Sequence, residues 1–188
     1  MDAVYPNGNF IPFMGASAPA YVTGIPFRGV LHTTQSKDYH PSATSYYGHT
    51  NPPHFTIVKK DEVKVFQHFS IKVGARALAN LSGGVQTNRN RAIQIEIAWY
   101  AEEIADLPND MVAGLKDLMR WIEAQAGVKR KSLKFYDEAD AEGTGAESRM
   151  EFQEWLNFEG WCGHQHVPEN AHWDPGLIDI KRLLKTTG

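Results

Sequence analysis

Hydrophobic positions change their spacing several times along this chain, and each change predicts an element. From Asn109 to Ala126, the residues Met111, Val112, Leu115, Leu118, Met119 and Ile122 recur at helical intervals, and Gly127 follows as a stop. Phe27 to Thr34 is a short apolar run that reads as a buried strand carrying His32 near its end. Phe55 to Lys59 and Val63 to Phe69 are rich in β-branched and aromatic residues, and the charged turn Lys60-Asp61-Glu62 between them predicts a hairpin. In the run from Ala92 to Trp99, alternation puts Ile93, Ile95, Ile97 and Trp99 on one side and Gln94 and Glu96 on the other. Glu96 is then either an exposed residue on a half-solvated sheet or a carboxylate that looks into a site.

Shorter signals fill the intervals. Pro41 to Gly48 predicts a short helix closed by glycine, followed by a turn at Asn51-Pro52-Pro53, and Glu151 to Phe158 predicts another short helix. Leu81 to Asn90 reads as a polar loop, and the acidic, Gly-rich stretch from Asp137 to Ser148 as a surface loop. Residues 1–25 hold Pro6, Gly8, Pro12, Gly15, Pro19 and Gly24, an extended arm or linker ahead of a domain over 26–188. The order of elements predicts an α/β protein with a mixed central sheet flanked by helices.

Composition narrows the function classes. At 188 residues, the chain suits one sizeable core and is too short for two ordinary domains. No apolar run approaches the ~20 residues of a membrane helix, so no membrane insertion is expected. The formal charge of −3 comes with no basic block, which argues against nucleic acid as the main partner. Met1 to Val4 have neither a positive n-region nor an apolar h-region, so synthesis in the cytoplasm without a signal peptide is expected. Cys162 is the only cysteine; no intrachain disulfide is possible, and a thiol nucleophile would need a lowered pKa and a placed base.

The candidate chemistry lies in Gly163 to Gly176, GHQHVPENAHWDPG. His164, His166, His172 and Asp174 are donors that zinc accepts, and a catalytic zinc takes three protein ligands and keeps one position open. His32 is the remote candidate for a further ligand. Local sequence leaves other readings open. Asp174 precedes Pro175 and a run of Leu177, Ile178, Ile180, Leu183 and Leu184 at near-helical spacing, so it could be an N-cap with proline at N1. A set of His32, His164 and His166 is an alternative, since residues two apart on a strand share a face.

These motifs resemble the zinc-dependent N-acetylmuramoyl-L-alanine amidases, the peptidoglycan-recognition-protein-like family, and most of all the amidase domains of phage endolysins. His164 and the Asp174-Pro175-Gly176 stop keep the spacing of that family's C-terminal signature. The His32-Thr33 strand end, the His54-Phe55 strand start and Ile93-Gln94-Ile95-Glu96 match three further motifs in the family's order. Departures occur at Gln94, where the family usually has glycine, and at His172, where it usually has lysine. The family's groove Trp-His pair is not visible around Gly74 to Ala77. Pro53 stands where some members have tyrosine, which leaves Glu96 as the catalytic group.

The resemblance implies a peptidoglycan-recognition-protein-like amidase fold and hydrolysis of the amide between N-acetylmuramic acid and L-alanine. His32, His164 and Asp174 would hold Zn2+, Glu96 would move the proton of the attacking water to the leaving amine, and His172 would stabilise the oxyanion. Trp161 and Trp173 are candidates to wall the groove, with core packing as the other reading of either. The implied partner is the muramyl peptide stem of peptidoglycan, acted on by a monomer at the bacterial wall after release. A non-catalytic peptidoglycan-binding module of the same fold is the alternative; binding-only members lose a zinc ligand.

Overall fold

The computed structural model describes residues 4–12, 18–38, 51–78, 84–137 and 149–185. The helix expected over 41–48 lies outside the described residues, as do 81–83 of the polar loop and 138–148 of the acidic loop. Six strands form one sheet: β1 (Asn9–Phe10), β2 (Arg28–Thr33), β3 (Phe55–Lys59), β4 (Val63–Gln67), β5 (Ala92–Ile97) and β6 (Trp161–Gly163), in the spatial order β1-β4-β3-β5-β2-β6. Among the described residues, only the β3–β4 pairing is antiparallel. The α-helices among the described residues are α1 (Asn109–Ala126), α2 (Phe152–Asn157) and α3 (Ile180–Leu184).

The two faces of the sheet bury different things. Ile93, Ile95 and Ile97 of β5 join Leu31, Phe55 and Ile57 beneath the apolar stripe of α1, and together they make the main core. On the opposite face, Val30 and Ala92 pack with Leu78, Met150, Trp155 and Cys162, so residues around α2 cover part of it. A parallel strand covered on both sides needs apolar residues in near-continuous runs, which is the pattern of β2. β2 is buried along its whole length.

Two readings that the sequence leaves open are decided here. Trp161 is fully buried in the main core and donates its indole N–H to Glu123 Oε1 at 3.0 Å, so it does not wall a groove. The C-terminal helix begins at Ile180, and Asp179 caps it by accepting the Arg182 amide at 2.9 Å. Asp174 is therefore not an N-cap. At the other end of the chain, β1 adds an edge to β4, and buried Tyr5 donates its amide to Gln67 Oε1 at 2.8 Å. Among the described residues, no helix is long and apolar enough to cross a membrane.

His54, at the entrance to β3, shows how the sheet fixes a protonation state. Its Nδ1 accepts the Gln94 amide at 3.1 Å, so the ring hydrogen sits on Nε2, which donates to Val73 O at 2.8 Å. Burial pushes its pKa down to about 4, against the pull of the Val73 carbonyl, and burial does the same to His68. Both ionise near ~6.5 when unfolded. Between those values the unfolded chain binds protons that the folded chain does not. Stability is therefore full above pH ~6.5 and declines as pH falls toward ~4, by about 1.4 kcal/mol per pH unit for each histidine. Urea midpoints at about pH 7.5 and about pH 5 should show this loss in wild type and a smaller one in His54→Asn, whose Oδ1 still accepts the Gln94 amide. Equal losses would show that His54 is not held neutral by the fold.

Candidate metal centre

Strand register brings candidate side chains into one row. His32 on β2 is the parallel partner of Glu96 on β5, and Glu96 is in turn the partner of Thr56 on β3. Partners across neighbouring strands project on the same face, so Thr56, Glu96 and His32 stand side by side. β6 pairs with the other edge of β2 through Leu31 and Gly163, and His164 follows at the start of a 3-10 turn over His164–His166.

The segment from 164 to 176 folds back over this row. The Gln165 amide donates to Asp174 O at 3.0 Å, and its side chain donates to Trp173 O at 2.7 Å and accepts the Tyr136 amide at 2.9 Å. Asn170 donates to His164 O at 3.3 Å and accepts the His172 amide at 2.8 Å. The motif's glycines are there for space. A Cβ on Gly163 would stand 2.6 Å from Pro175 Cδ, and one on Gly176, whose φ is 75°, would stand 2.4 Å from Ala101 O.

His32, His164 and Asp174 converge as a buried group. The two Nδ1 atoms are 3.2 Å apart, His32 Nδ1 is 3.5 Å from Asp174 Oδ2, and His164 Nδ1 is 3.3 Å from Asp174 Oδ1. The Thr33 amide donates to Asp174 Oδ2 at 3.3 Å and orients the carboxylate. Burial works against ionisation of Asp174, but the His164 and His32 rings overcome it and hold the carboxyl well below the usual range. Burial pushes His164 down, against the pull of Asp174.

This donor set fits zinc. Ligands bound tetrahedrally at ~2.0–2.2 Å lie about 3.3–3.6 Å from one another, close to the separations among these three groups. Two imidazoles and a carboxylate also leave the fourth position open, as catalytic sites do. His32 Nε2 and His164 Nε2 are buried with no hydrogen-bond partner among the described residues, so the Nδ1 side of each ring carries the polar contacts.

The other candidates fall in distinct places. Glu96 is half-buried, its Oε2 is buried without a hydrogen-bond partner among the described residues, and burial followed by the nearby Asp174 charge raises its pKa well above the carboxylate range. It is not a surface residue. His172 stacks on His164 at 4.2 Å with its side chain more than half exposed, and its Nδ1 is 3.6 Å from Asp174 Oδ1. Burial, then His164, lowers its pKa. His166 has no nitrogen to spare for a metal: Nδ1 accepts the Gly163 amide at 2.9 Å and Nε2 donates to Lys134 O at 2.8 Å. Burial drives the Cys162 thiol up to about 12, so it stays protonated and is no nucleophile. Trp173 is half-buried beside Gly176. Gln94 is buried on the Glu96 side of β5 and donates to Asn88 Oδ1 at 3.0 Å. Sequence reading missed Gln165, Asn170 and the Thr33 amide, because their roles are backbone contacts that no side-chain spacing announces.

Several solved structures share the fold at low sequence identity. The endolysin N-acetylmuramoyl-L-alanine amidase LysCS from Clostridium intestinale superposes with a TM-score of 0.58 at 13% identity, over 97% of this chain and 95% of that one. The Staphylococcus aureus hydrolase AmiA superposes with a TM-score of 0.60 at 12% identity, over 98% of this chain and 83% of that one. A second Clostridium intestinale amidase, LysC, gives 0.56 at 13%, over 95% of each chain. This chain has the fold of these amidases. No protein-family model and no curated protein matches it in sequence. The mixed sheet flanked by helices that the sequence predicts is thus found, in the fold of these structures.

Asp174→Asn tests the metal centre apart from catalysis. Asparagine fits the space and can accept the Thr33 amide, but it is a neutral and poorer ligand. Zinc affinity by competition with a chromogenic chelator should fall about tenfold or more, while the metal-free variant keeps a cooperative melt. Wild-type zinc affinity in this variant would remove Asp174 from the ligand set.

Proposed function

We propose that this chain is a zinc-dependent amidase that hydrolyses the bond between N-acetylmuramic acid and L-alanine in peptidoglycan, working as a phage or prophage endolysin. The observation that carries the reading is the buried His32, His164 and Asp174 group with Glu96 beside His32 in the same row. The amidase fold and the names of its structural relatives support it.

His32, His164 and Asp174 would hold the zinc, which when bound lowers the pKa of a water ligand toward ~7 and polarises a carbonyl. Glu96 would handle the proton. Its burial raises its basicity, so the carboxylate accepts a proton from the attacking water more readily than an exposed glutamate and can return it to the leaving nitrogen. The neighbouring Asp174 charge acts in the same direction. His172 reaches the solvent side of His164 and offers an N–H to the oxyanion of the tetrahedral intermediate. Burial, then His164, lowers its pKa and so favours the neutral ring as that donor. Trp173, half-buried and next to His172 in the chain, would wall the groove for the glycan or stem. The acting form is a monomer that reaches the wall after release from the cytoplasm.

Digestion of purified peptidoglycan followed by mass spectrometry should show free L-alanine amino termini and intact glycan strands; new reducing sugar ends would point to a glycosidase instead. Glu96→Gln should keep zinc and bind peptidoglycan but lose turnover by about 10²–10⁴-fold, because an amide cannot accept the proton. Wild-type turnover in that variant would remove Glu96 from the mechanism. A zinc-loaded wild type that binds peptidoglycan and releases no L-alanine termini would favour the binding module.

A further inference from the structure

On the side of the sheet opposite the metal centre, a groove runs between α1 and α3. Lys116, Arg120, Arg130, Arg182 and Lys185 line it, with Asp117 as the single acidic lining residue. Its charge contrasts with a chain whose formal net charge is −3. Asn109 and Arg120 both line it from α1, so it follows that helix for about 16 Å.

Hydrogen bonds orient the arginines and leave much of this charge in place. Arg120 donates to Leu183 O at 2.6 Å, and Arg182 donates to Leu107 O at 3.2 Å and to Asn109 Oδ1. Carbonyl and amide oxygens fix a guanidinium without cancelling it. Glu123 is shared by Arg120 and Arg130, so one carboxylate serves two cations. Asp117 accepts the Tyr5 hydroxyl and the Asn7 amide at 3.2 Å, which ties it to the N-terminal segment. Lys116 is half-buried and Lys185 exposed, and neither has a carboxylate partner among the described residues.

We propose that this groove binds a linear phosphodiester polymer, and, resting on the wall-amidase reading above, that the polymer is one attached to the bacterial cell wall. Guanidinium forks match phosphate oxygens, and cations strung along a groove of this length suit several phosphates in sequence better than one isolated anion. A nucleic acid is the other polymer of phosphodiesters. Proteins that hold single strands stack the bases on aromatic side chains, and the residues lining this groove include none. A polymer without bases is the better fit. Since the groove and the metal centre lie on opposite faces, the polymer would hold the protein at the wall without competing with the muramyl peptide.

The test is binding of the full chain to soluble poly(glycerol phosphate), followed by calorimetry at low salt, with inorganic phosphate and a single-stranded oligothymidylate as separate arms. The polymer should bind, with affinity falling steeply as salt rises. Lys116→Glu combined with Lys185→Glu should weaken it by about tenfold or more, and Lys116→Arg with Lys185→Arg should restore it. Thermal melts establish that both variants fold, and each should digest polymer-stripped peptidoglycan at the wild-type rate. Failure of wild type to bind the polymer, or equal binding by the charge-reversed protein, would overturn the proposal. So would inorganic phosphate binding as tightly as the polymer, which indicates an isolated phosphate site, or tighter binding of the oligothymidylate, which indicates nucleic acid. Polymer binding is read without peptidoglycan, so it stands or falls separately from the amidase reading, which fails if wild type leaves stripped peptidoglycan intact.

Discussion

Three buried donors with lone pairs pointed at one another are the constraint on which the rest of this structure depends. His32 and His164 bring their Nδ1 atoms to 3.2 Å, and Asp174 lies within 3.5 Å of each. Packing two imidazoles and a carboxylate this closely, away from water, is costly unless a positive charge is shared among them. Protons can supply that charge in part, and a divalent cation supplies it fully. Much of the surrounding architecture keeps the group together: the β2–β6 register delivers His32 and His164 to adjacent strand ends, and Gln165 and the Thr33 amide bind the loop that returns with Asp174.

The same sheet sets the basicity of a carboxylate beside the centre. Glu96 lies on a strand buried on both sides, with its neighbours in the row supplied by His32 and Thr56. Burial and the Asp174 charge make proton uptake easier there, whereas Asp174 itself is held ionised by imidazoles. Two carboxylates are thus driven in opposite directions by their surroundings, the arrangement by which neighbouring acids take different roles.

Much of this was legible in the sequence where local pattern decides structure. The apolar stripe from Met111 to Ile122 and the Gly127 stop gave α1 with its observed ends, and alternation in β5 put Glu96 on the face away from Ile93, Ile95 and Ile97. What alternation could not tell was that this second face is also covered, because the cover comes from Met150 and Trp155, far along the chain. Trp161 was equally ambiguous: only the packing of β6 beneath α1, with Glu123 waiting for its indole N–H, makes it core. The proline after Asp174 imitated a helix start, while the true cap, Asp179, lies five residues on. His166 carried the same local signal as His164, and only the Gly163 amide and the Lys134 carbonyl distinguish them.

The central claim is the identity of the three ligands, and X-ray absorption at the zinc edge of the metal-loaded protein tests it most directly. Two imidazole nitrogens from His32 and His164, one carboxylate oxygen from Asp174 and one further light atom should account for the spectrum, at about 2.0–2.2 Å and without sulfur. A shell with three imidazoles would move His166 or His172 into the ligand set, and scattering from sulfur at about 2.3 Å would bring in Cys162; either would contradict the assignment.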